Sequence, residues 1–217
     1  MGEASYIIGI EIHIERSQRL LGLSQQTYVE RIFEIFGMKK CSPIAAPIIK
    51  GDKLSLKQCP QNALEKAKIK DIPYASLVGS LMYAQVSTRP DIAFAVGMLG
   101  RYQSNPGLDH WKAGKKVFEI FSRNKDYNLT YKYSDSLKVI EYSDSDLGGC
   151  KDTGKSTSGY NLLLARGVVS WRSVKQTIVA TSTMEAEFIA CYEATSQALW
   201  LKNFISGLGL SIPFQGH

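Results

Sequence analysis

Residues 146–160 read DLGGCKDTGKSTSGY, and the fold class turns on the residues immediately after Ser156. Gly149 to Ser156 fits the phosphate-binding pattern G-x-x-x-x-G-K-[ST]. That pattern works only where a helix comes next and points its N–H groups and dipole at the phosphates. Asp152-Thr153-Gly154 also spells the Asp-Thr-Gly of aspartic proteases, which requires a buried site where two carboxylates share a proton. Neither context is met. The segment after Ser156, TSGYNLLLARGVVSW, holds Gly159, an apolar run and an Arg166-Gly167 turn, so it predicts a β-hairpin. The flanks Cys150-Lys151 and Lys155-Ser156 predict an exposed loop made of turn formers. The stretch is therefore read as a loop between strands, and NTP hydrolysis through residues 149–156 is not expected.

Outward from this loop the chain predicts an α/β fold. Upstream, Leu129–Tyr133 and Leu137–Tyr142 are strand-like; downstream, so are Tyr160–Ala165 and Val168–Trp171. Ser182-Thr-Met-Glu185 is a capping box that opens a helix running to about Ser206, with Gly207 at its end. Further upstream the chain is mostly helical. Helices are expected over 25–36 behind Ser24, from Pro73, from Pro90, and over 109–122. Tyr28, Ile32, Ile35 and Phe36 are the expected apolar stripe of the first. Residues 39–60, with Pro43, Pro47, Gly51 and Pro60, read as an extended connector. Near the N-terminus, residues 6–14 alternate as one half-buried strand, with Ile8, Ile10, Ile12 and Ile14 sharing a face, and Ser17-Gln18 turns it back into Leu20–Leu23. The expected division is 1–131 and 132–217.

Bulk properties narrow the function classes. The 217 residues are 44% hydrophobic and carry a formal charge of +6 with a pI near 9.0, which suits a nucleic-acid partner. Cys41, Cys59, Cys150 and Cys191 include no C-x-x-C pair, and His13, His110 and His217 complete a poor ligand set for zinc. Such unpatterned cysteines suit a reducing compartment. No signal peptide and no apolar stretch of membrane-spanning length are evident, so an intracellular setting, cytoplasmic or nuclear, is expected.

The remaining chemistry lies in carboxylates. Asp144 and Asp146 end an apolar strand and share a face; Glu185 and Glu187 lie in the first turns of the long helix. If that helix crosses the strand, Glu187 approaches Asp144. Carboxylates about 4 Å apart in a low-dielectric site repel strongly unless cations neutralise them. Magnesium is the hard cation suited to oxygen ligands, and a pair of such ions can clamp a phosphodiester. The alternative is an exposed strand end and ordinary first-turn helix acids. Lys112, Lys115 and Lys116 form a small basic helix face; with Lys155 they are candidate phosphate contacts.

The wording of several segments adds to this. Gly2–Ile12, Tyr74–Tyr83 (YASLVGSLMY) and Thr88–Val96 (TRPDIAFAV) resemble the reverse transcriptase of copia-type retrotransposon Pol polyproteins, from the end of the palm onward. Tyr142–Asp146 (YSDSD), Lys155–Tyr160 (KSTSGY), Val169–Trp171, Lys175-Gln176 and Ser182–Phe188 (STMEAEF) resemble their ribonuclease H domain. The resemblance implies a reverse-transcriptase tail and connection over 1–131. Over 132–217 it implies a ribonuclease H-like partial sheet, three antiparallel strands plus a long helix. It implies magnesium-dependent hydrolysis of the RNA strand of RNA–DNA hybrids, with Asp144 and Glu187 as catalytic and metal-holding acids and Glu185 and Asp146 as weaker candidates. An RNA–DNA hybrid and full-length Pol are the implied partners.

Two departures shape the expectation. No acidic residue lies beyond Glu193, whereas the family places two further acids past the helix, and the paired aspartates of the polymerase site are absent. The chain is thus expected to be a Pol fragment with weak or no nuclease activity alone and an unpaired sheet edge beside Asp144. The alternatives are a non-catalytic module that binds nucleic acid or a partner, and a non-functional remnant.

Overall fold

The computed structural model describes residues 4–38, 54–123, 126–134, 137–210 and 214–215. In chain order the elements are β1 (Tyr6–Ile7), β2 (Ile10–Glu15), β3 (Leu20–Ser24), α1 (Gln26–Ile35), α2 (Ala63–Ile69), α3 (Tyr74–Ser87), α4 (Ala93–Gly100) and α5 (Leu108–Arg123). They continue with β4 (Leu129–Lys132), β5 (Val139–Ser145), β6 (Thr157–Leu164), β7 (Gly167–Lys175), α6 (Thr183–Gly207) and β8 (Phe214–Gln215). Two compact units result: residues 1–11 with 24–128, and residues 12–23 with 129–217. Residues 12–23, which hold most of the β2–β3 hairpin, group with the second unit. Of the expected connector, residues 39–53 lie outside the described residues.

The first unit packs α1, α3, α4 and α5 around one apolar core. Leu77, Val78, Leu81, Ile92, Leu99, Val117 and Phe118 are almost wholly buried there. Each such side chain contributes about 1.5–3 kcal/mol of transfer free energy. Phe33 and Phe118 meet edge to face at 5.6 Å, and the Tyr74 hydroxyl donates to Leu99 O at 2.8 Å. The buried face of α1 is Val29, Ile32 and Phe33, whereas Ile35, expected inside, is exposed. Thr88-Arg89-Pro90-Asp91 is structural. Thr88 Oγ1 donates to Gln25 Oε1 at 2.7 Å, and buried Arg89 forks onto Asp91 at 2.8 and 2.7 Å.

Residues 6–14 are not one strand. Ile8 (φ 49°) and Gly9 (φ 73°) make a two-residue turn that folds β1 back on β2, pairing Ile7 with Ile10 and Tyr6 with Glu11. Two successive positive φ values are what a tight hairpin turn demands, and Gly9 meets that demand without steric cost. Ile8 is left 81% exposed at the tip.

In the second unit, β5, β6 and β7 form an antiparallel meander in the order β7-β6-β5-β8. Alternation puts Glu141, Ser143 and Ser145 on one face of β5 and Ile140, Tyr142 and Asp144 on the other. Helix α6 covers the first face. It carries a stripe of buried alanines, Ala186, Ala190, Ala194 and Ala198, and Ala198 packs with Ile205 against Leu162 and Val139. The β6–β7 turn is Ala165-Arg166, both at positive φ, one residue earlier than expected. Gly167 then starts β7 under β4, where a Cβ would stand 2.4 Å from Thr130 O.

The edge of β5 is not bare. Strand β8 pairs parallel with it, Phe214 opposite Val139 and Gln215 opposite Ile140. This adds a fourth strand to the expected three, and the pairing covers Val139 and Ile140 at the start of β5 rather than Asp144, beside which the unpaired edge was expected. Because α6 runs against the direction of β5, it returns the chain to the start of β5, where a parallel strand can begin.

Candidate functional site

The carboxylates sit where β5 ends and α6 begins. Thr195 Oγ1 donates to Glu141 Oε1 at 3.1 Å, which sets the axial position of the helix against the strand. From Thr195 back to Glu187 is two turns, a rise of about 12 Å. From Glu141 on to Ser145 is a strand rise of about 13 Å. Glu187 therefore comes level with the end of β5 that bears Asp144. Both side chains are exposed. Asp144, however, points to the face that α6 leaves open, because alternation sets it opposite Glu141 and Ser143. Its carboxylate accepts from the next backbone N–H, Ser145 N at 2.9 Å.

The two weaker candidates have structural partners. Asp146 Oδ1 accepts from Thr157 N at 2.6 Å and from Gly149 N at 3.3 Å, so it ties together the two ends of the 146–157 loop. Glu185 Oε2 accepts from Thr181 N and Thr181 Oγ1, each at 2.7 Å, and these bonds hold its carboxyl below the usual range. Ser182 Oγ accepts from Glu185 N at 3.2 Å, completing a cap whose return bond reaches Thr181 rather than Ser182.

The loop itself turns at Gly148 and Gly154, both at positive φ, and Gly154 N and Thr153 N return to Cys150 O. At Gly149 a Cβ would lie 2.0 Å from Asp146 Oδ2, so glycine is a packing requirement there. Ser156 leads into β6 and not into a helix. Lys155 Nζ donates to Thr177 O. Lys112 pairs with Asp109 at 3.2 Å, and Lys115 Nζ lies 5.3 Å from the centre of the Trp111 ring. Lys116 is half-buried on the same helix.

The roles of two residues escaped the sequence reading. Glu141 is buried, and burial raises its carboxyl pKa while the Thr195 bond opposes that rise. Among the described residues its Oε2 finds no hydrogen-bond partner. An isolated Glu in a strand of apolar neighbours was the available signal. Gln176, fully inside, donates through Nε2 to both Ser158 Oγ and Ala186 O at 2.9 Å. It pins the first turns of α6 to β6. Gln176 Oε1 and Ser145 Oγ have no partner among the described residues. Also among these, no group of three or more His, Cys, Asp or Glu side chains is placed to hold a metal ion. No helix among them is long and apolar enough to cross a membrane.

Comparison with known proteins gives several relatives. The chain is 43% identical over 97% of its length to the retrovirus-related Pol polyprotein from transposon TNT 1-94 of Nicotiana tabacum, covering 16% of that protein. It is 33% identical over 95% of its length to the Pol polyprotein from transposon RE2 of Arabidopsis thaliana, covering 14% of it. It is also 44% identical, over 61% of its length, to the secreted RxLR effector protein 161 of Plasmopara viticola, covering 94% of that protein. The chain thus spans about a sixth of the Pol polyproteins it matches. No family model and no solved structure matches it.

Proposed function

Since the chain belongs to the copia-type retrotransposon Pol polyprotein family, we propose that its second unit is ribonuclease H-like and its first a reverse-transcriptase tail and connection. The observation that carries the reading is the sheet order β7-β6-β5-β8. An antiparallel meander leads into a helix and then into a strand parallel to the first, with Asp144 and Glu187 at one end. The family activity is hydrolysis of the RNA strand of RNA–DNA hybrids.

On this reading the two acids offer magnesium no converging pair of ligands. Magnesium binds through one or two carboxylates that converge on it together with waters and substrate phosphates. Here Asp144 lies on the open face of the sheet and Glu187 on the helix across from it. The function proposed is that of a Pol-derived chain with little or no nuclease activity by itself, which engages nucleic acid through a basic surface. Its charge of +6 supports the latter part.

The test is incubation of the purified chain with a labelled RNA–DNA hybrid and magnesium. Little or no cutting is expected. Efficient cutting that disappears in Asp144→Asn would overturn the inactive reading and support the nuclease one. Cutting that survives Asp144→Asn would overturn both.

A further inference from the structure

Away from these acids, the second unit holds a groove of about 400 Å³ between the β2–β3 turn and β4. Ile14, Leu20 and Leu21 line its apolar part; Arg16, Arg19 and Lys132 supply cations, and Glu15 is the acid among the described lining residues. All three cations are exposed. Glu15 is engaged locally, since its Oε1 accepts from Ser17 N at 3.3 Å and from Ser17 Oγ.

Two aromatic rings complete the groove. The Tyr131 hydroxyl donates to Val168 O at 2.9 Å, which holds that ring as a fixed wall. Tyr133 is 54% exposed, and the Arg19 guanidinium lies over its ring, 4.8 Å from the centroid. The backbone locks this pair: Tyr133 N donates to Arg19 O at 3.0 Å. Arg19 itself is held at φ 52°, an uncommon conformation for a residue with a side chain.

We propose that this groove binds an unpaired stretch of nucleic acid, stacking a base on the Arg19–Tyr133 pair while Arg16 and Lys132 neutralise flanking phosphates. Unstacked bases lie on aromatic rings and on guanidinium planes, and cations beside such a platform track the backbone. A duplex keeps its base faces stacked inside and has none to offer Tyr133. The ligand is therefore single-stranded, which distinguishes this site from the Asp144 and Glu187 end of the unit, where the family cleaves a hybrid.

The experiment is fluorescence anisotropy of the purified chain with labelled oligouridylate or oligothymidylate, and with a hybrid duplex, over a range of salt. Single strands bind more tightly than duplex. Tyr133→Ala weakens that binding about tenfold, and Tyr133→Phe retains it. Arg19→Glu with Lys132→Glu weakens it further and flattens its salt dependence. The altered side chains are exposed, and circular dichroism verifies the fold of each variant. The proposal is overturned by absent single-strand binding, by equal or tighter duplex binding, by a Tyr133→Ala protein of unchanged affinity, or by equal displacement with polyglutamate. None of these readings depends on whether the chain cuts a hybrid.

Discussion

Glu141 and Thr195 are joined by a 3.1 Å hydrogen bond that crosses from strand to helix inside the second unit. A carboxylate has been buried for the sake of one hydroxyl. Burial raises the Glu141 pKa above its ordinary value of 4.5, so folding favours the protonated form. The stabilising contribution of this proton is complete below pH 4.5 and is lost as pH rises through the raised folded-state value. Glu141→Gln keeps an acceptor for Thr195 and removes the charge. The variant is expected to be more stable than the parent at pH 7, with the difference shrinking toward pH 4, in denaturant titrations across that range.

Gln176 is expected to matter more than its surface-like residue type suggests. Its amide serves Ser158 Oγ and Ala186 O at once. Gln176→Ala strands buried polar groups and should cost about 1–3 kcal/mol. Urea unfolding reads the loss, and hydrogen exchange should quicken at the start of α6 before its end.

Ser182→Ala removes the N-cap acceptor of Glu185 N and should cost about 1 kcal/mol. Ser182→Asp, which restores an acceptor, should recover most of the melting temperature.

Asp144 and Asp146, two residues apart, should behave differently. Asp144 is exposed and bonds only locally, so Asp144→Asn should shift stability by less than about 0.5 kcal/mol. Asp146→Ala frees Thr157 N and Gly149 N and should cost about 1–3 kcal/mol. Gly149→Ala should do comparable damage by driving its Cβ into the Asp146 carboxylate. Thermal melts of the three variants check the contrast; an Asp144→Asn protein as unstable as Asp146→Ala would refute it.

Local signals in the chain carried the helices other than α2 well. Ser182 with Glu185 marks the start of α6, and Pro73 and Pro90 mark the starts of helical segments. What escaped was set by partners distant in sequence. Ile8-Gly9 resembles the middle of an alternating strand, and only the pairing of β1 with β2 makes it a turn. Strand β8 is two residues long, too short to carry a period, and exists by pairing with β5. Alternation could place Asp144 and Asp146 on one strand face, but not which face the helix would cover. The Glu141–Thr195 bond, between residues far apart in the chain, decides that.

The alanine stripe of α6 has a mechanical consequence. Ala186, Ala190, Ala194 and Ala198 let the helix sit close to the sheet, but such a stripe is a smooth rail with few knobs to resist sliding. Along that stripe axial indexing falls to two pegs, Gln176 at one end and the Glu141–Thr195 bond further along, while Leu201 and Ile205 pack into the core beyond it. With both pegs removed, the alanine-lined half of the helix would keep its burial yet hold its register less firmly. Glu187, carried on that rail, would then be held less firmly level with the end of β5.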